Sequence, residues 1–335
     1  MLGSFSLRLL TLLQLTRMAL VFTAVADGLC TLLLVARDRA GPGGSLAGHL
    51  SAAQVLSAVA VSAGLYGFGM SLNDIIDRRR DAQIAAGRPL PSGRVGLLTA
   101  HLVCAALLLL ALAGGTFYSQ AAGRWTSLLL VGWTAALIAF YDLAGKYLVA
   151  PGLIALGLIR FFHALVPAPH VPLLWHPLVL LNHVAVLSAV AYHWEEKRPP
   201  LTRAHWATVI GGLLAADLAL VGFVASRQGA AGPALRVGPE LALPLLAAAG
   251  FVALAWRVRR TSATSREAGQ ALMLYGLLWL IVYDACFVAA YVRDAAATAA
   301  VLMLLPVAYL SVRLMRWWSK LMAVAQKPQF KRAGA

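Results

Sequence analysis

Ten apolar stretches recur along the chain, near residues 17–36, 51–72, 97–117, 125–141, 147–166, 176–193, 204–226, 240–256, 270–292 and 297–315. A helix needs about twenty apolar residues to cross a hydrocarbon core of roughly 30 Å. Inside that core, backbone amides find partners only within helices or closed barrels. A chain built of such stretches therefore folds as an all-α polytopic transmembrane helical bundle. Composition agrees: 61% of the 335 residues are hydrophobic and 12% charged, with a mean hydropathy of +0.77, far from the balance of a water-soluble domain. The weakest of the ten is 240–256, short and followed by Arg257, Arg259 and Arg260, so the expected number is nine or ten.

With an even number, both termini share one side with the loops around 74–96, 142–146, 194–203 and 257–268. Of the 28 lysines and arginines, only Arg37, Arg39, Arg124, Arg227, Arg236 and Arg293 fall on the other side, and Arg160 lies inside a span. The positive-inside rule then places both termini and the charged loops in the cytoplasm. Topology and contact with anionic lipid account for the net charge of +15 without nucleic acid. Loops such as "PAPHVPLLWHP" (167–177) are short, and residues 1–335 are expected to form a single membrane-embedded domain. Cys30, Cys104 and Cys286 show neither metal-ligand spacing nor a disulfide framework and are expected to be small core residues. The N-terminal stretch from Met1 to Ala36 carries Arg8 and Arg17 inside its apolar pattern, lacks a small-residue cleavage site before a soluble domain, and its first helix is expected to be retained.

Charge concentrates in one place. "SLNDIIDRRRD" (71–81) closes the second apolar run with Asp74, Asp77 and Asp81. If the helix continues, these project from one face within about 60°. Clustered carboxylates demand a cation, and a hard-oxygen set of this kind suits Mg²⁺ held between protein and a substrate phosphate. The alternative is a helix end whose aspartates pair with Arg78, Arg79 and Arg80, although Arg79 and Arg80 fall largely on the far side. The next segment, "GRPLPSGRV" (87–95), has the composition of a shaped cationic loop.

These residues resemble the first aspartate-rich motif, N-D-x-x-D-x-x-x-D followed by R-P-x-x-S-G, of the UbiA superfamily of intramembrane prenyltransferases. The match covers Asn73, Asp74, Asp77, Asp81, Arg88, Pro89, Ser92 and Gly93. "YDLAGKY" is similar to the Y-D-x-x-x-K segment of some members, through Tyr141, Asp142 and Lys146. The resemblance implies a bundle around a central cavity, with Lys146 as a diphosphate ligand, and a lone lysine at a helix end is by itself a point-charge phosphate binder. Arg160 needs a partner at membrane depth. Similar sequences carry an arginine with an asparagine three residues on, where this chain has Arg160 and His163. The family's second aspartate-rich motif, which completes a binuclear Mg²⁺ site, is replaced by "YHWEEKRPPL" (192–201). Adjacent Glu195 and Glu196 point about 100° apart in a helix and do not easily share one metal. Pairing with Lys197, Arg198 and Arg203 is the competing reading. His176, His183 and His193 form no di-iron histidine box and are expected to be packed or interfacial. Asp27, Asp217 and Asp284 are costly in lipid and are expected to face the interior.

The resemblance therefore implies a Mg²⁺-dependent transferase that moves an isoprenyl group from a prenyl diphosphate to a hydrophobic acceptor. Catalytic work is expected from Asp74, Asp77, Asp81 and Lys146, substrate contacts from Asn73, Arg88, Arg94, Tyr141, Arg160 and His163, and metal ligation from the three aspartates with Glu195 and Glu196. A CDP-alcohol phosphotransferase is the rival enzyme class, but its D-x-x-D-G-x-x-A-R signature is absent. The other alternative is a non-catalytic relative that binds or transports a lipid or pigment precursor. The sidedness is checked by reporter fusions: a C-terminal reporter is expected to be active only in the cytoplasm, and activity only on the outer side rejects an even number of spans.

Overall fold

The second apolar run becomes a helix with a well-defined start: Ser51 Oγ accepts from the amide of Gln54, and the Gln54 side chain accepts from the amide of Ser51, a capping box. The computed structural model describes residues 4–41, 43–229 and 232–325. The outermost residues on which terminal sidedness rests, 1–3 and 326–335, lie outside the described residues. Helices run in the order α1 (Ser4–Leu15), α2 (Val21–Ala40), α3 (Ala52–Ile76), α4 (Arg78–Ile84), α5 (Leu97–Ala122), α6 (Thr126–Phe140), α7 (Lys146–Leu148), α8 (Ala150–Leu165) and α9 (Trp175–Trp194). They continue with α10 (Arg203–Gln228), α11 (Ala242–Thr261), α12 (Ser265–Phe287), α13 (Ala295–Leu302) and α14 (Leu304–Ala325). Two π-helical turns, Tyr141–Gly145 and Val288–Val292, interrupt this order. No strand occurs among the described residues, so the all-α expectation holds.

Among the described residues, nine helical segments are long and apolar enough to span a membrane, and the protein is a multi-pass integral membrane protein. The short member is not 240–256, which lies within a 23-residue segment, Pro239–Thr261. It is α8, with 16 residues and a length of about 24 Å at 1.5 Å per residue. The reason is local. The π turn and a reversal at Val149 consume the start of the run expected at 147–166. Val149 has φ 56°, a conformation that a β-branched residue adopts only under strain. The turn is so tight that a Cβ on Gly152 would lie 2.3 Å from the Gly145 carbonyl oxygen.

Helices α2 and α9 form the inside of the bundle, with 72% and 67% of their apolar windows buried, against 17% for α10, α11 and the last segment. The outer helices turn Leu98, Leu109, Leu129, Leu218 and Leu246 outward, as lipid contact requires. Helix α1, preceding the first apolar run, packs Leu15 into the bundle and joins α14 through a Gln14–Ser319 hydrogen bond of 3.0 Å.

The helix that carries the aspartates is held by close backbone approach. At the α3–α5 contact, a Cβ on Gly64 would meet the Leu107 carbonyl oxygen at 2.6 Å, and one on Gly114 would meet that of Ser57 at 2.9 Å. In lipid, association of this kind depends on small residues that let helices touch. Gly64→Ala is expected to destabilise the fold by about 1–3 kcal/mol through overpacking. Gly132→Ala, where nothing lies within 4 Å, is expected to be neutral or slightly stabilising. Thermal unfolding midpoints in detergent distinguish the two.

Candidate active site

Helix α3 ends at Ile76, and Asp77 forms the joint to α4. The backbone keeps helical spacing across it, with the Asp81 amide donating to the Asp77 carbonyl at 2.8 Å. The three aspartates consequently stay on one face. Asp74 and Asp81 are each only 4% exposed, so these are buried carboxylates and not a solvated helix end.

Their partners come from elsewhere in the chain. Arg17 Nη2 reaches Asp74 Oδ1 at 2.9 Å, and Arg88 pairs closely with Asp81 while lying 3.8 Å from Asp74. Lys146 Nζ meets Asp77 Oδ1 at 2.7 Å. Asn73 donates to Asp142 Oδ1 at 2.8 Å and to Asp77 Oδ2 at 3.3 Å. Arg78, Arg79 and Arg80 form no ion pair with an aspartate among the described residues, and Arg79 and Arg80 are exposed. The local pairing alternative is thereby set aside.

Each cation is delivered by unusual backbone. Arg17 stands at φ 47° between α1 and the following turn, the left-handed region uncommon for such a residue. Lys146 follows the π turn Tyr141–Gly145, which places buried Asp142 beside Asn73, and π turns concentrate at functional sites. The cationic loop is shaped as expected: the Ser92 hydroxyl donates to the Arg88 carbonyl at 2.6 Å. Arg94 donates to Gln14 at 3.0 Å and to the Gly87 carbonyl at 2.6 Å. Partial burial draws Arg94 below the ordinary arginine range. Tyr141 is half-buried, within electrostatic reach of Asp77, Asp142 and Arg17.

Arg160 and His163 stand apart from this group. Arg160 donates to Asp27 Oδ2 at 2.6 Å and to Thr23 Oγ1 at 2.8 Å, so the partner that its depth demands is Asp27. His163 Nε2 lies 3.0 Å from Ser62 Oγ. Ser62 is twelve residues before Asp74 on α3, about 18 Å along the helix. Arg160, expected above as a substrate contact, is thus held by Asp27 and Thr23. Tyr66 lies between, within electrostatic reach of both Arg17 and Arg160.

The interior network continues past Asp27. The Asp284 carboxyl lies near that of Asp27 and meets His176 Nε2 at 2.7 Å. The Cys30 thiol points at the Asp284 carbonyl at 3.6 Å. Cys30, His176 and Asp284 present ligand atoms within 4.8 Å of one another, all buried. Such a sulfur, nitrogen and oxygen set is unlike the oxygen donors of Mg²⁺. Asp217 is less enclosed and is held by Asn182 at 3.0 Å.

Glu195 and Glu196 do not join the aspartates through any hydrogen bond or ion pair among the described residues. Glu195 pairs with Lys197 at 3.2 Å, and Glu196 is exposed with φ 55°. The helix ends at Trp194, so the two glutamates leave it in different directions. Sequence reasoning missed Arg17 and the role of Asp27. The available signal was the cost of each charge at the edge of or inside an apolar run.

Residues 41–168 match the model of the UbiA prenyltransferase family, a segment that holds all of the first motif, Tyr141 to Lys146, Arg160 and His163. Among solved structures, digeranylgeranylglyceryl phosphate synthase is similar at 17% identity, covering 86% of this chain and 99% of that one with a TM-score of 0.56. A UbiA homologue from Aeropyrum pernix K1 matches at 23% identity over 78% of this chain and 97% of its own, with a TM-score of 0.48. One from Archaeoglobus fulgidus, bound to DMAPP and Mg²⁺, matches at 16% identity over 94% and 99%, with a TM-score of 0.40. No curated protein matches the chain. Residues 41–168 are thus similar to the UbiA prenyltransferase family, and the fold is similar to that of digeranylgeranylglyceryl phosphate synthase.

The deep pair gives a stability test. Asp27→Leu leaves Arg160 buried without a counter-charge, and is expected to cost about 3–5 kcal/mol. Adding Arg160→Met is expected to recover most of that loss, read as unfolding midpoints of the single and double variants in detergent.

Proposed function

We propose that this protein transfers an isoprenyl group from a prenyl diphosphate to a small hydrophobic acceptor, and that it does so at the aspartate end of α3 with a divalent cation, Mg²⁺. The observation that carries this reading is the convergence of three buried or half-buried aspartates with Arg17, Arg88 and Lys146 at the end of an apolar helix, inside the family-matched segment. Such a site offers anionic oxygens for a hard metal and cationic side chains for a diphosphate. The likeness to digeranylgeranylglyceryl phosphate synthase supports an isoprenoid donor.

The donor set fits Mg²⁺: Asp74, Asp77 and Asp81 supply carboxylate oxygens on one face, and Asp142 and Asn73 add oxygens beside them. When bound, the metal offsets charge on the diphosphate oxygens. Glu195 and Glu196 are the candidates for a second position, through rearrangement of the Glu195–Lys197 contact. In the reaction, the bond between C1 of the prenyl group and the diphosphate oxygen breaks, and its electron pair leaves with the diphosphate. Lys146, Arg88 and Arg17 stabilise that growing negative charge as fixed cations. Their present aspartate partners hold them in place until phosphate oxygens compete for them. Tyr141 and Asn73 lie beside Asp77 and Asp142 and position the head of the donor, while Arg94 braces the cationic loop.

The remaining allylic cation is shielded from water by apolar helix walls. A nucleophilic carbon or oxygen of the acceptor then bonds to C1, and its displaced proton passes to the released diphosphate. Arg160 and His163, held by Asp27 and Ser62, give the deeper wall a polar patch for the far end of a substrate. We place the aspartate end on the cytoplasmic side, in keeping with the charge distribution of the loops.

Asp74→Asn or Asp77→Asn keeps side-chain size and removes an anionic ligand. Diphosphate release from a prenyl diphosphate in the presence of Mg²⁺ is expected to fall by at least about a hundredfold, with expression and helix content retained. Normal turnover in both variants refutes the metal-site reading and favours a binding or transport role. Lys146→Ala is expected to weaken prenyl diphosphate binding by about tenfold, as loss of a charge-assisted contact does, and equilibrium binding measures it.

A further inference from the structure

The end of the bundle away from the aspartates holds a cavity of about 590 Å³, within the roughly 300–1,000 Å³ of small-molecule sites. Helix α3 begins near this end and carries the aspartates at its other, 25 residues later, about 37 Å at 1.5 Å per residue. The two sites therefore lie at opposite ends of the bundle. Its polar lining comes from Arg37 and Asp38 at the end of α2, Arg236 and Glu240 before α11, and Tyr291 and Arg293 at the second π turn.

Several independent features mark this cavity as built. Its charged lining has three arginines against two carboxylates, an excess of one positive charge. One carboxylate oxygen, Glu240 Oε1, receives both Arg236 Nη2 at 3.3 Å and Arg293 Nη2 at 3.1 Å, so two guanidinium groups converge on a single point. Arg37 spends Nε on the Val292 carbonyl at 2.8 Å and Nη1 on those of Gly41 and Gly44, which fixes the π turn against α2. The Tyr291 ring packs beside Phe287 at 5.9 Å, stacked against it, and so fixes the π turn behind the cavity. Finally, Arg293 follows the π turn at φ 56°. A π turn and a nearby strained residue also shape the aspartate end, and both features gather at functional positions.

We propose that this cavity binds the anionic, phosphate-bearing head of an amphiphile. Arg236 and Arg293 supply the planar donor pairs that suit phosphate oxygens. Leu34, Leu173 and Val292 line the same space and receive the apolar part next to the head. Glu240 is the internal stand-in: it occupies the place of the anion on the two guanidinium groups when the site is empty, and ligand binding displaces it.

The test titrates the purified full chain in maltoside detergent with short-chain phosphatidylglycerol, phosphatidylcholine of the same chain length, and inorganic phosphate, each followed by calorimetry. Phosphatidylglycerol is expected to bind at one site, about tenfold or more tighter than phosphatidylcholine, with inorganic phosphate weaker than the lipid. The Arg236→Ala/Arg293→Ala double variant is expected to lose at least about tenfold in affinity. Glu240→Gln removes the competing carboxylate and is expected to tighten binding by about threefold or more, a gain that misfolding does not produce. Equal affinity for the two lipids, or unchanged affinity in the double variant, overturns the proposal. So does weaker binding by Glu240→Gln. Inorganic phosphate binding as tightly as the lipid overturns the amphiphile and leaves a simple anion site.

Discussion

A carboxylate buried at the end of an apolar helix has to be met by positive charge, and much of the unusual geometry in this protein serves that need. Asp74, Asp77 and Asp81 draw in Arg17, Arg88 and Lys146. None of these cations is a neighbour on the helix itself. One stands at a left-handed residue between two helical segments, one on a proline- and glycine-rich loop, and one behind a π turn. Regular helices alone do not bring three distant cations to one face. The departures from regularity are where the chain bends to do so, as expected where function competes with local preference.

The aspartate end is tied into the bundle by its supporting helix. Its aspartates are spaced by one helix, and that helix is fixed against α5 at glycines where backbone nearly touches backbone. Deeper in the bundle, Arg160 is held by Asp27 and Thr23, so charge inside the membrane is answered at two depths. Preorganised charges of this kind stabilise a developing anion without having to reorient during the reaction.

Much of this was legible in the sequence, for physical reasons that differ by feature. Apolar length alone gave the helices, because lipid permits so few alternatives. The face shared by the aspartates followed from helical spacing, and the cationic loop from its prolines and glycines. What periodicity hid was pairing across long separations. Arg17 and Asp74 are 57 positions apart, Arg160 and Asp27 133 apart, and no local rule links them. The shortening of the fifth apolar helix was equally hidden, since a π turn and a strained Val149 leave no mark on an apolar pattern. Cys30, His176 and Asp284 are unremarkable singly and come together only because α2, α9 and α12 pack side by side.

The order in which the aspartate partners occur along the chain has a bearing on its biogenesis. Arg17 has already left the ribosome when Asp74 emerges, and Arg88 follows Asp81 within seven residues. Lys146, however, comes 69 residues after Asp77, with two long apolar helices made in between. A nascent chain that has inserted its second helix therefore carries one carboxylate not yet neutralised by its final partner. That gap gives a reason for the next two helices to be inserted promptly and for Asp77 to stay near the membrane surface until they are.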